Sequence, residues 1–303
     1  MTISLFSGQG SQYPGMGKEL AETNASLMKL FDIGSDIIGR DLKKICFESS
    51  PEELSRTANA QPAIMTVSLV CLNAAVLRGF AFDGVAGHSL GEYAAMQASE
   101  MISVEDAFRL IKARSEAMDE AASAQKGAMA AILKLAPEKI AEVCENAKNY
   151  AAAVNYNSPQ QTVVAGTPEG IAEVSAVFAE MGARVIPLNV AGAFHSKLMQ
   201  TAADKFYETA KTIDFKAPKV KYYSNVTGAE LTDFSDMASI LAQHIVSPVR
   251  FTSELFAMSE AGADKFIEFG PGKTLTGLVK KTLSKVSAAN VEDIKTLEGA
   301  LSL

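Results

Sequence analysis

The chain has 303 residues, 48% hydrophobic and 21% charged, enough to bury a large core as one large domain or two modest ones. Its net charge of −7, with no basic stripe of interleaved aromatics, excludes a nucleic-acid-binding protein. No apolar run approaches the roughly eighteen residues of a bilayer span, the start has no charged leader or cleavage site, and three cysteines cannot all pair; a cytoplasmic protein with reduced core thiols and no membrane partner is expected.

Thr2 to Phe6 reads as a strand and runs into Gly8-Gln9-Gly10-Ser11-Gln12. This is not a dinucleotide loop, because G-x-G-x-x-G needs glycine where Tyr13 stands. A loop at a strand's carboxyl end is where ligands sit in open α/β sheets. Gln9 there either supplies a backbone N–H to an oxyanion or occupies a surface turn. Residues 18 to 58 read as helical, broken by Gly34 and Gly39, with a helix start at Ser50-Pro51-Glu52-Glu53. An apolar helix is expected from Gln61-Pro62 to Arg78, ended by Gly79.

Val85-Ala86-Gly87-His88-Ser89-Leu90-Gly91-Glu92-Tyr93 then gives G-x-S-x-G between an apolar run and a helix-forming segment, Leu90 to Ala98. That is the nucleophile-elbow pattern, in which a serine sits on a sharp strand-to-helix turn and the next N–H, here Leu90, faces the oxyanion. Flanking glycines suit a turn crowded by strand and helix, and the helix start aims its positive end at developing negative charge. Ser89 is the candidate nucleophile; an ordinary glycine-rich turn is the plainer reading. His88 beside it is expected to point to the other side of the turn.

Ser103-Val104-Glu105-Asp106 caps the next helix, whose apolar stripe runs Ala107, Phe108, Leu110, Ile111, Ala117, Met118. Arg114 falls inside that stripe. An unpaired guanidinium facing a core costs several kcal/mol, so Arg114 needs an internal ion pair, a snorkelling route to water, or a substrate carboxylate in its fork.

From residue 127 the pattern changes. Strands are expected at Ala128 to Leu135, Ala152 to Tyr156, Thr162 to Ala165 and Arg184 to Val190, with helices at Pro137 to Lys148 and Pro168 to Met181. The order β-α-β-β-α-β is that of a ferredoxin-like unit. The chain therefore reads as an α/β core with a parallel sheet, residues 1–126 and 191–303, carrying an inserted ferredoxin-like subdomain, 127–190. A cleft is expected at the junction, where the chain returns through Ala191-Gly192-Ala193-Phe194-His195-Ser196.

His195 lies there, ahead of a helix from Lys197 to Lys211, as the candidate general base or else a structural histidine. The third histidine, His244, falls near the end of a helix from Asp236 to Ile245, where capping explains it. No Cys/His cluster has metal-ligand spacing, so no metal is expected. Strands at Lys219 to Ser224 and Lys265 to Phe269, then Gly270-Pro271-Gly272-Lys273 and a lysine-rich helical region, complete the reading.

Taken together these segments resemble the malonyl-CoA:acyl carrier protein transacylases and the related acyltransferase domains of polyketide synthases. The matching stretches, in order, are Gly8 to Gln12, Gly87 to Tyr93, the Arg114 helix, Gly127 to Ala131, Val154 to Pro159, Phe194 to Met199, Ser247-Pro248-Val249-Arg250-Phe251 and Gly270 to Lys273. The resemblance covers nearly the whole chain and implies a hydrolase-like core. It implies ping-pong transfer of malonyl from a coenzyme A thioester through Ser89 to the phosphopantetheine thiol of holo acyl carrier protein, with no bound cofactor.

By the same resemblance His195 is the base, Leu90 and Gln9 form the oxyanion hole, Arg114 grips the malonyl carboxylate, and the backbone carbonyl of Gln243 orients His195. Asn155, Phe194 and His88 are implied as cleft contacts. The enzyme is expected to be a monomer that meets the acidic carrier transiently, steered by the lysines between Lys273 and Lys285 or by Arg40, Lys43 and Lys44. A base with an ordinary histidine pKa predicts acylation that declines below about pH 6.5. The alternatives are a serine acyl hydrolase, with less use for Arg114, and a transacylase for another acyl unit.

Overall fold

A computed structural model of the chain describes residues 1–190 and 192–303. Two sheets organise them. The larger has six strands: β1 (Thr2–Phe6), β2 (Gly84–Gly87), β7 (Lys221–Ser224), β8 (Ala229–Glu230), β9 (Lys265–Phe269) and β10 (Ser287–Val291), in the order β10-β9-β1-β2-β7-β8. All pairings are parallel except β7 with β8. The smaller sheet is antiparallel, with β3 (Ala128–Leu133), β4 (Ala151–Ser158), β5 (Gln161–Gly166) and β6 (Arg184–Pro187) in the order β4-β5-β3-β6. Helices Pro137–Glu145 and Pro168–Glu180 pack on it.

The central strands of the larger sheet are apolar almost throughout, as covering on both faces requires. Ile3, Leu5, Phe6, Val85, Ala86, Phe266, Ile267 and Phe269 are all buried. β1 is paired with β2 on one side and β9 on the other, so the crevice outside the carboxyl ends of these strands is the switch point where α/β sheets take ligands. Register pairs Phe6 with Gly87, which sets the Gly8–Gln12 loop beside the turn at Ser89.

Behind the sheet lies the helix Thr57–Val76, with seventeen of its residues buried from Thr57 to Ala75. By length and composition it could cross a membrane, with a mean hydropathy of 1.3 over a window that is 89% buried in the protein; the expectation that no segment approaches such a span is corrected, and the segment is a core helix. It also begins at Thr57 rather than at Gln61-Pro62. Proline favours the first helical position because its missing N–H costs nothing there, but Pro62 sits inside this helix.

Gly34 does not break its helix either, which runs Ala25–Ile38 and stops at Gly39 in the left-handed conformation. A Cβ at Gly34 would lie 2.6 Å from the Phe108 ring, so this glycine is a point of close helix packing. Other boundaries move by a few residues at frayed ends. β8, β10 and the capped helix Ile294–Leu301 had no counterpart in the sequence reading.

The two sheets are tied by backbone. Tyr156 N–H donates to Val249 O (2.9 Å) and Val249 N–H to Val154 O (2.8 Å), which bridges β4 to the segment before the helix Phe251–Glu260. Of the return segment Ala191–Ser196, Ala191 lies outside the described residues; Gly192 to Ser196 run between the sheets to a single 3-10 turn, Lys197–Met199, and the helix Gln200–Ala210.

Candidate active site

Ser89 sits between β2 and the helix Gly91–Ala98, with φ +53°, in the left-handed region that a non-glycine residue adopts only under constraint. The glycines on either side are demanded by contact. A Cβ on Gly87 would fall 2.0 Å from the Gly91 carbonyl carbon, and one on Gly91 would fall 2.2 Å from Phe6 O. The turn is thus pinned between its own helix and β1.

His195 meets Ser89 across the cleft, its Nε2 2.7 Å from Ser89 Oγ. Its Nδ1 lies 3.0 Å from the backbone carbonyl of His244. A carbonyl only accepts, so Nδ1 carries the hydrogen and Nε2 presents its lone pair to the serine hydroxyl. The orienting carbonyl is therefore that of His244, and the expected Gln243 is corrected: Gln243 is exposed on the same helix, Met237–Val246, and takes no part. Helical geometry supplies the reason. The carbonyl of residue 244 would accept from the N–H of residue 248, and Pro248 has none, so His244 O stays open for the imidazole. Burial, His244 and Arg114 together push the His195 imidazole well below its ordinary range.

Arg114 is 1% exposed, on the helix Val104–Ala124 whose first turn is capped by Ser103, as read from the sequence. Its Nη2 donates to Ser89 Oγ (2.9 Å) and its Nη1 to Gln61 Oε1 (2.7 Å), while Nε has no partner among the described residues. The Tyr93 ring lies 5.6 Å from the guanidinium carbon. None of the ion pairs formed by the described residues includes Arg114. Burial lowers its pKa, yet a guanidinium keeps its proton in a protein. The site thus holds a buried positive charge in no ion pair among the described residues, aimed at the same hydroxyl as the imidazole.

A cleft of about 380 Å³ is lined by Ser89, His195 and Gln61. Its apolar wall is Met118, Met129, Val163, Leu188 and Phe194, and Gln9, Asn155 and His88 line it as well. Asn155 follows an irregularity in the β4–β5 register, and His88 Nε2 is held 2.8 Å from Asn157 Oδ1 with its ring edge-on to Phe251. The backbone N–H groups of Gln9 and Leu90 have no hydrogen-bond partner among the described residues. The N–H of Ser89 itself is taken by Asn225 Oδ1 at 2.7 Å.

Sequence reasoning missed Gln61, Asn225, Glu92, Glu254 and the role of His244, all of them buried. Only His244 carried a readable signal, through the proline four residues on. Among the described residues no group of His, Cys, Asp and Glu has the arrangement of a metal site.

A serine hydroxyl in hydrogen-bond contact with a buried neutral imidazole, beneath a guanidinium, can accept and pass on an acyl group that carries a negative charge. An acyl transferase domain model matches residues 4–299, and the chain is an acyltransferase. It is 41% identical to the malonyl CoA-acyl carrier protein transacylase of Bacillus subtilis (strain 168) over 98% of this chain and 95% of the relative. The crystal structure of malonyl CoA-acyl carrier protein transacylase from Clostridium perfringens superposes with a TM-score of 0.95 at 36% identity, covering 99% of this chain and 96% of that one. A type II PKS acyl-carrier protein complex contains a malonyl-transacylase with a TM-score of 0.95 at 34% identity, covering 99% of each chain. The chain belongs to the malonyl CoA-acyl carrier protein transacylase family.

Proposed function

We propose that the enzyme moves a malonyl group from malonyl-CoA to the phosphopantetheine thiol of holo acyl carrier protein, through a malonyl ester on Ser89. The observation that carries this is the meeting of His195 Nε2 and Arg114 Nη2 on one hydroxyl, at 2.7 and 2.9 Å. Ser89 Oγ attacks the thioester carbonyl while its proton passes to His195 Nε2. The C–S bond breaks, and the departing coenzyme A thiolate takes that proton. In the second half the carrier's thiol gives its proton to His195, attacks the ester, and Ser89 Oγ leaves with the proton. The open N–H groups of Leu90 and Gln9 hold the oxyanion in both halves, each worth roughly 3 kcal/mol in the transition state.

Arg114 takes the malonyl carboxylate, which replaces the missing anionic partner and selects malonyl over acyl groups that end in methyl. The apolar wall of the cleft favours a thiol acceptor over water. The parallel sheet with its strained serine turn supports the hydrolase-like description of the core, and the β4-β5-β3-β6 order supports the ferredoxin-like description of residues 127–190. Three buried free cysteines support a cytoplasmic location. A ping-pong route releases coenzyme A before any carrier is added and gives parallel double-reciprocal lines; intersecting lines, with no release until the carrier arrives, would refute it.

Two further outcomes are expected. Because His195 resists protonation in its buried setting, acylation should hold its plateau below about pH 6.5, where a free histidine loses its base form, and fall only at lower pH. This moves the sequence-based limb downward, and quenched-flow acylation rates that already decline above that pH would contradict it. Carrier docking is proposed at the exposed Lys273, Lys280 and Lys281, just before and on the helix Thr274–Thr282, which also carries the cleft residues Leu275 and Leu278. Arg40 and Lys43 are instead engaged by Asn59 and Asp32. Reversing the three lysine charges should raise the carrier's KM at low salt and leave coenzyme A release unchanged; unaltered carrier kinetics would rule the patch out.

A further inference from the structure

Asn225 follows β7 directly and is fully buried. Its side-chain amide uses every hydrogen-bonding position it has. Oδ1 accepts from Ser89 N–H at 2.7 Å and faces His244 Nε2 at 3.1 Å; Nδ2 donates to Gly87 O and to Glu254 Oε1, both at 2.7 Å. The amide's orientation is fixed by its backbone partners, since Ser89 N–H can only donate and Gly87 C=O can only accept. Asn225 is held in turn by its own backbone: its N–H donates to Glu92 Oε1 (2.6 Å), and its carbonyl accepts from Arg250 N–H (3.0 Å).

Two consequences follow from the atoms involved. Gly87 C=O and Ser89 N–H stand on either side of His88, so one amide clamps the turn that keeps Ser89 at φ +53°. The same Oδ1 meets the imidazole of His244, whose backbone carbonyl holds His195 Nδ1. Ser89, Asn225, His244 and His195 therefore form a closed ring, and the 2.7 Å contact between Ser89 Oγ and His195 Nε2 is its last edge.

We propose that Asn225 is the positioning residue that sets the separation and alignment of Ser89 and His195, by fixing the serine turn and the imidazole's holder with one amide. It touches neither the cleft nor Arg114, so it acts on the reacting pair and not on binding of the acyl group. It also takes the Ser89 N–H away from any oxyanion, which leaves that work to Leu90 and Gln9. The inference rests on the proposed acylation of Ser89, and its test keeps the two apart.

The test compares the parent with Asn225→Ala and Asn225→Asp. The second keeps the amide's shape and an acceptor for Ser89 N–H but loses the Nδ2 donor, so it decides the matter if the alanine variant does not fold. Folding is checked by circular dichroism and thermal melting. Rates are read as malonyl-CoA acylation and as labelling by a fluorophosphonate, which needs the serine–histidine pair but no carboxylate grip. A displacement of about 1 Å at a reacting pair costs on the order of a hundredfold.

Folded Asn225→Ala should therefore lose about that factor in kcat and in labelling rate alike, with KM within about threefold of the parent, and Asn225→Asp should fall between. A folded variant of either kind that acylates and labels at the parental rate would overturn the proposal, as would a loss confined to KM. If the parent forms no malonyl adduct yet labelling still depends on Asn225, the positioning role stands and the malonyl reading falls.

Discussion

Ser89→Ala is expected to lower malonyl transfer by at least about 10⁴-fold, the scale set by removing the nucleophile of an acyl-transfer dyad. Among the described residues Oγ is the one atom that hydrogen-bonds to both His195 and Arg114, so no neighbouring group is placed to take its role in the proposed acyl ester. The fold should survive, because Gly87, Gly91 and the Asn225 clamp on the Ser89 N–H hold the turn without the hydroxyl. Effects of residues that act as a unit do not add. A Ser89→Ala, His195→Ala double variant should thus be no slower than either single variant. Additive losses in steady-state transfer would mean that the two side chains serve separate steps.

Arg114→Ala should lower kcat/KM for malonyl transfer by more than about tenfold, as a charge-assisted hydrogen bond is worth about 1.5–3 kcal/mol, and leave acetyl transfer unchanged or raised. The structural reason is the guanidinium's setting: it is buried, held by Gln61 and in no ion pair among the described residues. Arg114→Lys should not restore malonyl transfer, since an ammonium lacks the planar fork that matches a carboxylate. Equal losses for malonyl and acetyl would make Arg114 a structural cation. Competition between the two thioesters, measured on one sample, separates these outcomes.

Both side chains were legible in the sequence because local rules fix them. G-x-S-x-G between an apolar run and a helix former specifies the serine turn, and the phase of the Ser103-capped helix places Arg114 in its apolar stripe before any fold is known. His195 was legible by elimination among three histidines and by its place at a junction. The open backbone N–H groups of Gln9 and Leu90, the proposed oxyanion donors, are readable only as positions next to motifs.

What escaped was set by packing between distant segments. Asn225 lies in Ser-Asn-Val-Thr-Gly, which reads as a turn after a strand; its four side-chain partners come from residues 87, 89, 244 and 254. Glu92 looks like an ordinary first-turn helix acid and is buried against Asn225 and His244. The orienting carbonyl was misplaced by one residue, although Pro248 marks the carbonyl that lacks a helical partner. β10 is Ser-Ala-Ala-Asn-Val, too weak in strand propensity to stand out, and it forms because β9 offers a parallel edge. Pro62 and Gly34 misled by composition: each looks like a helix boundary and each lies within a helix whose tertiary contacts override local preference.

The central claim is that the hydroxyl of Ser89 carries the malonyl group between two thiols. The most direct measurement is intact mass and peptide mapping of the protein mixed with malonyl-CoA, before and after holo acyl carrier protein is added. The account predicts one malonyl group on the peptide containing Ser89, lost to the carrier on its addition. No adduct, an adduct on another residue, or one that stays on the enzyme in the presence of the carrier would contradict it.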